Sequence, residues 1–168
     1  MKVVKELIPY IIVIIFVLLL RYFIITPIQV VGTSMIPNLE DGELMILNKI
    51  NYSFNDIERF DIVVVDYPDE PLIKRIVGLP GETIEYKDNK LYIDGKLVKE
   101  KFDTNGKTGD YEINESGYSV IPEDMYFVMG DNRINSTDSR SIGPVKKEQI
   151  LGKANFVLYP FNKFGFIK

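Results

Sequence analysis

A nearly continuous apolar run near the amino terminus constrains the fold of this chain more than any other feature. Residues 7–20 contain no charged side chain, Arg21 interrupts the run, and residues 22–25 continue it. As a helix, residues 7–25 extend about 28 Å, roughly the thickness of the hydrocarbon core of a bilayer. The run has no polar face, which disfavours the alternative of a helix buried in a globular domain. The pattern predicts one transmembrane helix in an N-terminal region of residues 1–25.

A cleaved targeting segment is the competing interpretation of this run. A secretory signal peptide has a shorter apolar region and small residues at its cleavage site, whereas residues 26–31 read TPIQVV. A retained anchor is therefore expected, with Arg21 reaching the far interface. Lys2, Lys5 and the amino terminus favour a cytoplasmic N-terminus. The expected location is the cell membrane, crossed once, with the globular part extracytoplasmic.

The rest of the chain has the pattern of a β protein. Turn signals separate short stretches rich in Val, Ile, Tyr and Phe, of which the clearest are residues 43–49, 61–67, 72–78, 125–129 and 150–159. Helix is scarce after the anchor, with one possible turn at residues 144–149. The sequence predicts a mostly β fold, in which a mainly antiparallel catalytic domain occupies residues 26–168.

A polar insertion is expected around residues 82–120 of this domain. Residues 82–98 have the pattern of a three-stranded meander, with tight turns at Asp88-Asn89 and Asp94-Gly95. Residues 100–116 are polar, charged and glycine-containing. That composition predicts a mobile or loosely ordered excursion.

The chain contains neither histidine nor cysteine, and this removes most of the usual catalytic groups. A Ser-His-Asp triad, a cysteine nucleophile and a His or Cys metal site are excluded, and no metal or other cofactor is expected. A hydrolase that uses a nucleophile would need a hydroxyl, with lysine as the remaining base. Residues 26–168 carry 17 Lys and Arg against 23 Asp and Glu. An acidic domain repels phosphate backbones, so nucleic acid is not an expected partner.

Two short segments carry candidate catalytic groups. Ser34 lies in GTSMIP, between a glycine and a proline, and taken alone it could be an ordinary turn serine. Lys74 lies in LIKRIVG, where strand alternation puts Lys74 and Arg75 on opposite faces. If either face is core, a basic group enters it, and burial lowers a lysine pKa from about 10.4 toward the 7–8 that a base requires. The alternative is an edge strand with both groups in water.

A third segment, GDNRINSTDSR at residues 130–140, follows an apolar strand and is dense in hydroxyls and charges. Ser136 could hold a lysine amine in place by hydrogen bonding. Asp138 and Arg140 could pair and pin the loop. The alternative is a solvated turn with side-chain-to-backbone hydrogen bonds.

Together with the anchor, these segments resemble a type I signal peptidase, the bacterial leader peptidase, of the short single-anchor kind. The matching stretches occur in the family's order at residues 32–39, 60–68, 72–82 and 130–140. The resemblance implies a membrane-bound serine endopeptidase with a Ser-Lys dyad that removes signal peptides from exported preproteins. Its implied partners are preproteins with small residues before the cleavage site, and the lipid bilayer.

The resemblance also implies roles for single residues. Ser34 is similar to the nucleophile, Lys74 to the general base, and Ser136 to the hydroxyl that orients the lysine. Asp138 and Arg140 are similar to a supporting ion pair, and Asp131 is similar to a loop acid that could pair with Arg75. Met35 is similar to the residue that follows the nucleophile. Some relatives place a serine two residues before the nucleophile, where this chain has Gly32. The oxyanion hole is then expected to depend on backbone N–H groups, chiefly that of Ser34.

The substrate is expected to lie extended beside strands of the site, as in β-augmentation. Apolar residues that precede the two catalytic positions are candidates for lining its pockets, namely Ile28, Val30, Val31, Leu72 and Ile73. The alternative for each of them is an ordinary place in the core.

Three competing functions differ in features that the sequence displays. A self-cleaving Ser-Lys repressor-type protease carries a DNA-binding region instead of an apolar anchor. A penicillin-binding type enzyme has an S-x-x-K motif, which this chain lacks. A membrane-anchored binding or scaffolding β domain without catalysis would tolerate the loss of Ser34, so substitution by alanine separates it from a protease.

Overall fold

The structure is a computed structural model that describes residues 2–23, 25–49 and 57–167, with side chains described for residues 7–17, 26–49 and 57–167. Helix α1 covers Lys2–Phe23. The side chains of residues 7–17 are all exposed, and they are apolar on every side of the helix. The side chains of Lys2, Lys5 and Arg21, on which the predicted orientation depends, lie outside the described residues.

The transmembrane helix predicted from the sequence is not found. Within the part of the chain that the structure describes, no helix combines the length and the apolarity needed to cross a membrane.

A large antiparallel sheet forms most of the described part of the molecule. In the described residues its strands run in the order β1-β2-β11-β3-β4-β9-β10, and β12 pairs with β11. Their bounds are β1 Ile25–Gln29, β2 Leu44–Asn48, β3 Ile62–Val65, β4 Leu72–Gly78, β9 Met125–Met129, β10 Val145–Lys146, β11 Ile150–Tyr159 and β12 Gly165–Phe166. The mostly β, mainly antiparallel fold predicted from the sequence is confirmed.

The polar insertion forms a second, smaller sheet with the strand order β7-β6-β5-β8. Its strands are β5 Ile84–Lys87, β6 Lys90–Ile93, β7 Lys96–Val98 and β8 Tyr111–Glu112. The predicted three-stranded meander is therefore present. Asp88, Asn89 and Asp94 adopt the left-handed backbone conformation in its two turns, as tight hairpin turns require.

Strand β4 lies inside the large sheet, between β3 and β9. Apolar clusters cover both of its faces, because Ile73 packs with one cluster and Ile76 with another. Phe127 on β9 is fully buried beside it, and burial of such a side chain contributes about 1.5–3 kcal/mol. The edge-strand alternative for β4 is therefore wrong, and both Lys74 and Arg75 enter the protein interior.

Three local predictions differ from the structure. Ile25, expected to end the helical run, is instead the first residue of strand β1, which pairs with β2. Residues 144–149 form β10 and the 3-10 helix Lys147–Gln149 instead of one helical turn. Residues 100–116, expected to be loosely ordered, include β8, the 3-10 helix Ile113–Ser116 and a β-bridge between Asn105 and Asn132. Tertiary pairing explains each difference, since local composition does not reveal the partner.

Candidate active site

The loop that follows β1 holds Ser34 through a buried neighbour. Met35 is 1% exposed and packs in the core beneath the loop, and its carbonyl accepts the N–H groups of Asn38 (3.0 Å) and Leu39 (2.9 Å). Gly32 has a φ of 84°, a conformation that favours glycine, and its N–H donates to Asp41 Oδ1 at 2.8 Å. The turn is thus pinned on both sides of Ser34, which stays partly exposed.

Lys74 reaches this loop from the middle of β4. Its Nζ lies 2.8 Å from Ser34 Oγ and 3.0 Å from the carbonyl oxygen of Ile73, to which it donates. Lys74 is only 2% exposed. The structure therefore brings together the two residues that the sequence analysis singled out as nucleophile and base, although they are 40 positions apart.

Burial lowers the pKa of Lys74 from its ordinary 10.5 to about 8. Three carboxylates oppose this shift without cancelling it, with Asp138 exerting the largest influence, followed by Asp131 and Glu70. Desolvation dominates because an ammonium loses its hydration in the interior. An amine with this pKa is substantially neutral at mildly alkaline pH, and a neutral amine can accept a proton from a hydroxyl.

The loop of residues 130–138, which follows β9, packs against the Ser34 turn. The Asn132 N–H donates to the carbonyl oxygen of Ser34 (2.9 Å), and Asn132 Nδ2 donates to that of Thr33 (2.9 Å). A Cβ on Gly130 would lie 2.5 Å from the Ser34 carbonyl oxygen and would also collide with Ser136. Only glycine allows this close approach of the two loops.

Asp138 and Arg140 form the ion pair expected from the sequence. Arg140 donates to the carboxylate through Nε (2.9 Å) and Nη2 (2.8 Å). Burial would raise the pKa of Asp138, but the hydrogen bonds and charge of Arg140 lower it below its ordinary value. Asp138 also caps the short helix α2, Ser139–Ile142, and accepts the N–H of Gly130 at 3.1 Å. The pair therefore fixes the end of the loop that borders the site.

The second expected pair joins Arg75 to Asp131. Arg75 Nε and Nη2 donate to the two carboxylate oxygens at 2.9 and 2.7 Å, and both side chains are buried. Asn38 Nδ2 donates to the same carboxylate at 2.8 Å. Arg75 also bonds the carbonyl oxygen of Phe60 and lies 4.0 Å from the ring centre of Phe102. The bidentate geometry satisfies a guanidinium that cannot lose its charge.

Ser136 lines the same cleft as Ser34 and Lys74. Its Oγ is buried, and its hydroxyl lies near enough to the Asp138 carboxylate to help lower the pKa of that group. The hydrogen bond to the lysine amine that the sequence analysis expected is absent from this arrangement, in which Lys74 bonds Ser34 and a backbone carbonyl instead.

The cleft at Ser34 has a volume of about 290 Å³ and includes three of the five predicted pocket residues, Val31, Leu72 and Ile73. A neighbouring, mostly apolar pocket of about 630 Å³ shares Val31 and Ile73 with it and adds Ile28. Val30 lines neither cavity. It is 2% exposed and packs in the core beside Met35, which is the place that the alternative interpretation gave it.

Sequence reasoning missed the buried network that supports the site loop from the second sheet. Arg133 donates to Tyr86 Oη (3.0 Å) and Thr108 Oγ1 (2.8 Å) and forms an ion pair with Glu100. Burial raises the pKa of Tyr86, so its hydroxyl keeps its proton and donates to Glu100 at 2.8 Å. Four polar groups from distant segments meet here, and no local pattern in the sequence marks them as partners.

A hydroxyl bonded to a desolvated amine at the edge of a cleft is the arrangement of an activated nucleophile. The comparisons with known proteins identify the class of hydrolase to which it belongs. The family model described as signal peptidase, peptidase S26, matches residues 3–159. The chain therefore belongs to the signal peptidase family, and it is a serine endopeptidase of the signal peptidase I type that removes signal peptides from exported preproteins.

Individual relatives agree with this assignment. The chain is 41% identical to a signal peptidase I of Bacillus caldolyticus over 94% of this chain and 92% of that protein. It is 46% identical to signal peptidase I V of Bacillus subtilis over 74% of this chain and 80% of that protein. A crystal structure of a signal peptidase I from Enterococcus faecalis is similar, with a TM-score of 0.53 and 38% identity over 59% of this chain and 97% of that one.

Proposed function

We propose that Ser34 is the nucleophile and Lys74 the general base with which the chain cleaves signal peptides from preproteins. The observation that carries the proposal is the 2.8 Å contact between Lys74 Nζ and Ser34 Oγ, made by an amine that is 2% exposed. Burial and the resulting pKa of about 8 supply a base that works without histidine.

In the proposed reaction, Ser34 Oγ attacks the scissile carbonyl carbon while neutral Lys74 takes the hydroxyl proton. Collapse of the tetrahedral intermediate breaks the C–N bond, and the Lys74 proton passes to the leaving amine of the mature protein. Water then attacks the acyl ester, giving its proton to Lys74. The ester C–O bond breaks, the signal peptide leaves with a carboxylate, and Ser34 regains its proton.

The backbone N–H of Ser34 is the proposed donor to the oxyanion. Gly32 offers no side chain there, and its own N–H is already bonded to Asp41 Oδ1. Removal of one oxyanion donor typically costs about 10²–10³ in kcat, so the orientation of this single N–H bears strongly on the rate.

The preferred preproteins are proposed to carry small residues at the first and third positions before the cut. The Ser34 cleft holds only about 290 Å³, with Val31, Leu72 and Ile73 on its walls. β1 is at the edge of the large sheet, where an extended substrate can add main-chain hydrogen bonds.

The chain is further proposed to be anchored once in the cell membrane, with a cytoplasmic N-terminus and an extracytoplasmic catalytic domain. The proposal is supported by the apolar run of residues 7–25 and by the exposed apolar side chains of residues 7–17. Val13→Arg in the full chain should reduce its co-flotation with vesicles, whereas Val120→Arg, at another exposed valine, should not. Equal flotation of both variants would refute anchoring by α1.

The dyad is tested with the purified, detergent-solubilised chain and a labelled preprotein, the cut being mapped by mass spectrometry. Ser34→Ala and Lys74→Met should each lower kcat by about 10⁴-fold or more, while circular dichroism stays unchanged. Ser119→Ala and Lys87→Met, at exposed positions, are the matched controls and should retain full activity. Substantial residual activity in either dyad variant would reject the proposal.

A further inference from the structure

Residues 100–108 of the polar insertion lie directly against the loop that borders Ser34. Asn105 forms a parallel β-bridge with Asn132. Its N–H donates to the Asp131 carbonyl oxygen (2.9 Å), and its carbonyl oxygen accepts the Arg133 N–H (2.9 Å). The insertion is thus joined by backbone hydrogen bonds to Asp131 and Arg133, the two residues that flank Asn132.

Asn132 is the residue of that loop that holds the backbone of the nucleophile. Its main-chain N–H and its side-chain Nδ2 bond two successive carbonyl oxygens, those of Ser34 and Thr33, both at 2.9 Å. The Nδ2 bond holds the Thr33–Ser34 peptide through its carbonyl oxygen, and the main-chain bond holds the next peptide, Ser34–Met35, so both peptides that flank the Ser34 Cα are fixed by one buried residue.

Asn105 in turn fixes the orientation of the Asn132 amide. Asn105 Nδ2 donates to Asn132 Oδ1 at 3.1 Å. A primary amide has one acceptor oxygen and one donor nitrogen. Since the oxygen of Asn132 faces Asn105, its nitrogen faces Thr33, where it meets an acceptor. Reversal of the amide would bring two donor nitrogens together at Asn105 and two oxygens together at Thr33.

The Thr33–Ser34 peptide is trans, since the cis bonds of the described chain are at Ile36-Pro37 and Tyr159-Pro160. In a trans peptide the C=O and the next N–H point in opposite directions. The carbonyl of Thr33 turns toward Asn132, so the N–H of Ser34 turns away from it.

We propose that Asn105 and Asn132 form a relay of side-chain amides that positions the Ser34 N–H as the oxyanion donor, which makes the polar insertion part of the catalytic apparatus. The proposal rests on the proposed role of Ser34 as nucleophile. Because Gly32 supplies no side-chain donor, the rate depends on this N–H more than it would in a relative with a serine there. Asn105 and Asn132 are positioning residues, since neither touches the reacting atoms.

The Arg133 network gives the relay a rigid base. Arg133 is 3% exposed, its Nε donates to the Gly130 carbonyl oxygen (3.1 Å), and its Nη1 donates to Thr108 (2.8 Å). The ion pair with Glu100 adds a second connection to the insertion. The segment that carries Asn105 is therefore held at both ends against the loop that carries Asn132.

The test compares Asn105→Asp with Asn105→Ala in the full chain. Aspartate has nearly the same shape as asparagine but cannot donate when ionised, so it favours the reversed amide of Asn132 and misdirects the Thr33–Ser34 peptide. We expect kcat to fall about 10- to 100-fold in Asn105→Asp, with KM changed less than about twofold. Asn105→Ala removes more atoms but allows water to bond Asn132, so kcat should fall less in Asn105→Ala than in Asn105→Asp.

Two further measurements separate positioning from general damage. A peptide aldehyde with the substrate's sequence adds to Ser34 and places an oxyanion at the same position, so its affinity should fall by the same factor as kcat. The limb near pH 8 on which activity rises with pH should stay at its wild-type position, because Lys74 is untouched. Asn162→Asp, at an exposed position, is the matched control for the Asn-to-Asp change and should retain full kcat.

The proposal is overturned if Asn105→Asp keeps wild-type kcat, or if Asn105→Ala loses as much as Asn105→Asp. A fall in kcat matched by a loss of folded protein would also overturn it. Ser34→Ala in the same assay distinguishes this failure from failure of the proposed function. If Ser34→Ala is inactive while Asn105→Asp is normal, only the relay is rejected; if Ser34→Ala is active, the proposed nucleophile is rejected as well.

Discussion

The two faces of strand β4 accommodate a positive charge in opposite ways. Lys74 and Arg75 are neighbours in sequence, and each is 2% exposed. On one face the Lys74 amine meets a hydroxyl and a backbone carbonyl. On the other, Arg75 makes a bidentate pair with Asp131. Equal burial therefore leaves the proposed base on one side and a structural ion pair on the other.

The difference follows from the chemistry of the two cations. A guanidinium keeps its proton under all ordinary conditions, so burial without a carboxylate partner would cost several kcal/mol. An ammonium can shed its proton, and desolvation then lowers its pKa, as it does for Lys74, to about 8. We infer that the partner at each side chain, in addition to its burial, separates the proposed base Lys74 from the ion-paired Arg75.

Replacing each of these two side chains by the other type of cation should have the largest effect on activity. Lys74→Arg places a group that cannot act as a base beside Ser34, so we expect kcat to fall by about 10⁴-fold or more. Arg75→Lys keeps the charge beside Asp131 but loses the bidentate geometry, and it should cost roughly 1–3 kcal/mol of unfolding free energy with most activity retained. Preprotein cleavage and urea denaturation measure both. Equal losses of activity in the two variants would contradict the proposed division of roles.

Removal of the carboxylate from the Arg75 face is expected to have the next largest effect. Asp131→Ala leaves a buried guanidinium without its carboxylate partner and removes one of the two acceptors of the Asn38 amide. We expect a loss of about 3–5 kcal/mol in the free energy of unfolding, measured by urea denaturation. Asp124→Ala, at an exposed position, should change it by less than about 0.5 kcal/mol. If Asp131→Ala lost as little free energy of unfolding as Asp124→Ala, the Arg75–Asp131 pair would add little to stability.

Removal of the charge from the Lys74 face should act in the opposite direction. The folded-state pKa of Lys74 is lowered to about 8 from 10.5, so between these values the unfolded state binds more protons and wild-type stability rises with pH. Lys74→Met should therefore be more stable than wild type at pH 7, by up to roughly 3 kcal/mol. This advantage should shrink as the pH is raised from about 8 to 10.5. A pH-independent difference in urea denaturation would rule out the lowered pKa.

The smallest expected effect is a change in the pKa of Lys74 caused by the charge of Glu70. The Glu70 carboxylate borders the Ser34 cleft and raises the pKa of Lys74 against the effect of burial. Activity should rise with pH through a limb near pH 8 in the wild type, because only the neutral amine accepts a proton. Glu70→Gln should move this limb to lower pH, by roughly a few tenths of a unit at low salt. The profile of kcat/KM against pH measures it, and a shift to higher pH would contradict the assignment.

The strands with strong local patterns could be predicted from the sequence. Residues 72–78 and 125–129 form strands with the predicted bounds, and residues 82–98 form the predicted meander. Strand β1 could not be predicted because only its first residue belongs to the apolar run and TPIQ at residues 26–29 has no strand pattern of its own, so its strand form depends on pairing with β2. The polar composition of residues 100–116 predicted loose order. That prediction was wrong because the segment is held by distant residues, as in the hydrogen bond from Arg133 to Thr108, and no local sequence pattern shows such a contact.

The candidate site was predictable in its residues but not in its connections. Ser34 and Lys74 could be named from their motifs, and the structure adds the 2.8 Å contact between them. The expected bond from Ser136 to the lysine is absent, and Val30 lies in the core instead of a pocket. Asn132 lies inside a motif that could be singled out in the sequence, yet its bonds to the carbonyl oxygens of Ser34 and Thr33 require the close packing of Gly130 against Ser34.

By itself, the sequence determined which chemistry was open to this protein. A chain without histidine or cysteine that has a lysine within an apolar strand is restricted to hydroxyl nucleophiles and an amine base. Only the tertiary structure decided which buried cation meets the hydroxyl and which meets a carboxylate. The physical reason is that desolvation and hydrogen bonding act between groups brought together across 40 to 100 residues of chain, as in the contacts of Ser34 with Lys74 and of Thr33 with Asn132. Residue types limit the possible partners, but the packing of β4 and the two loops selects among them.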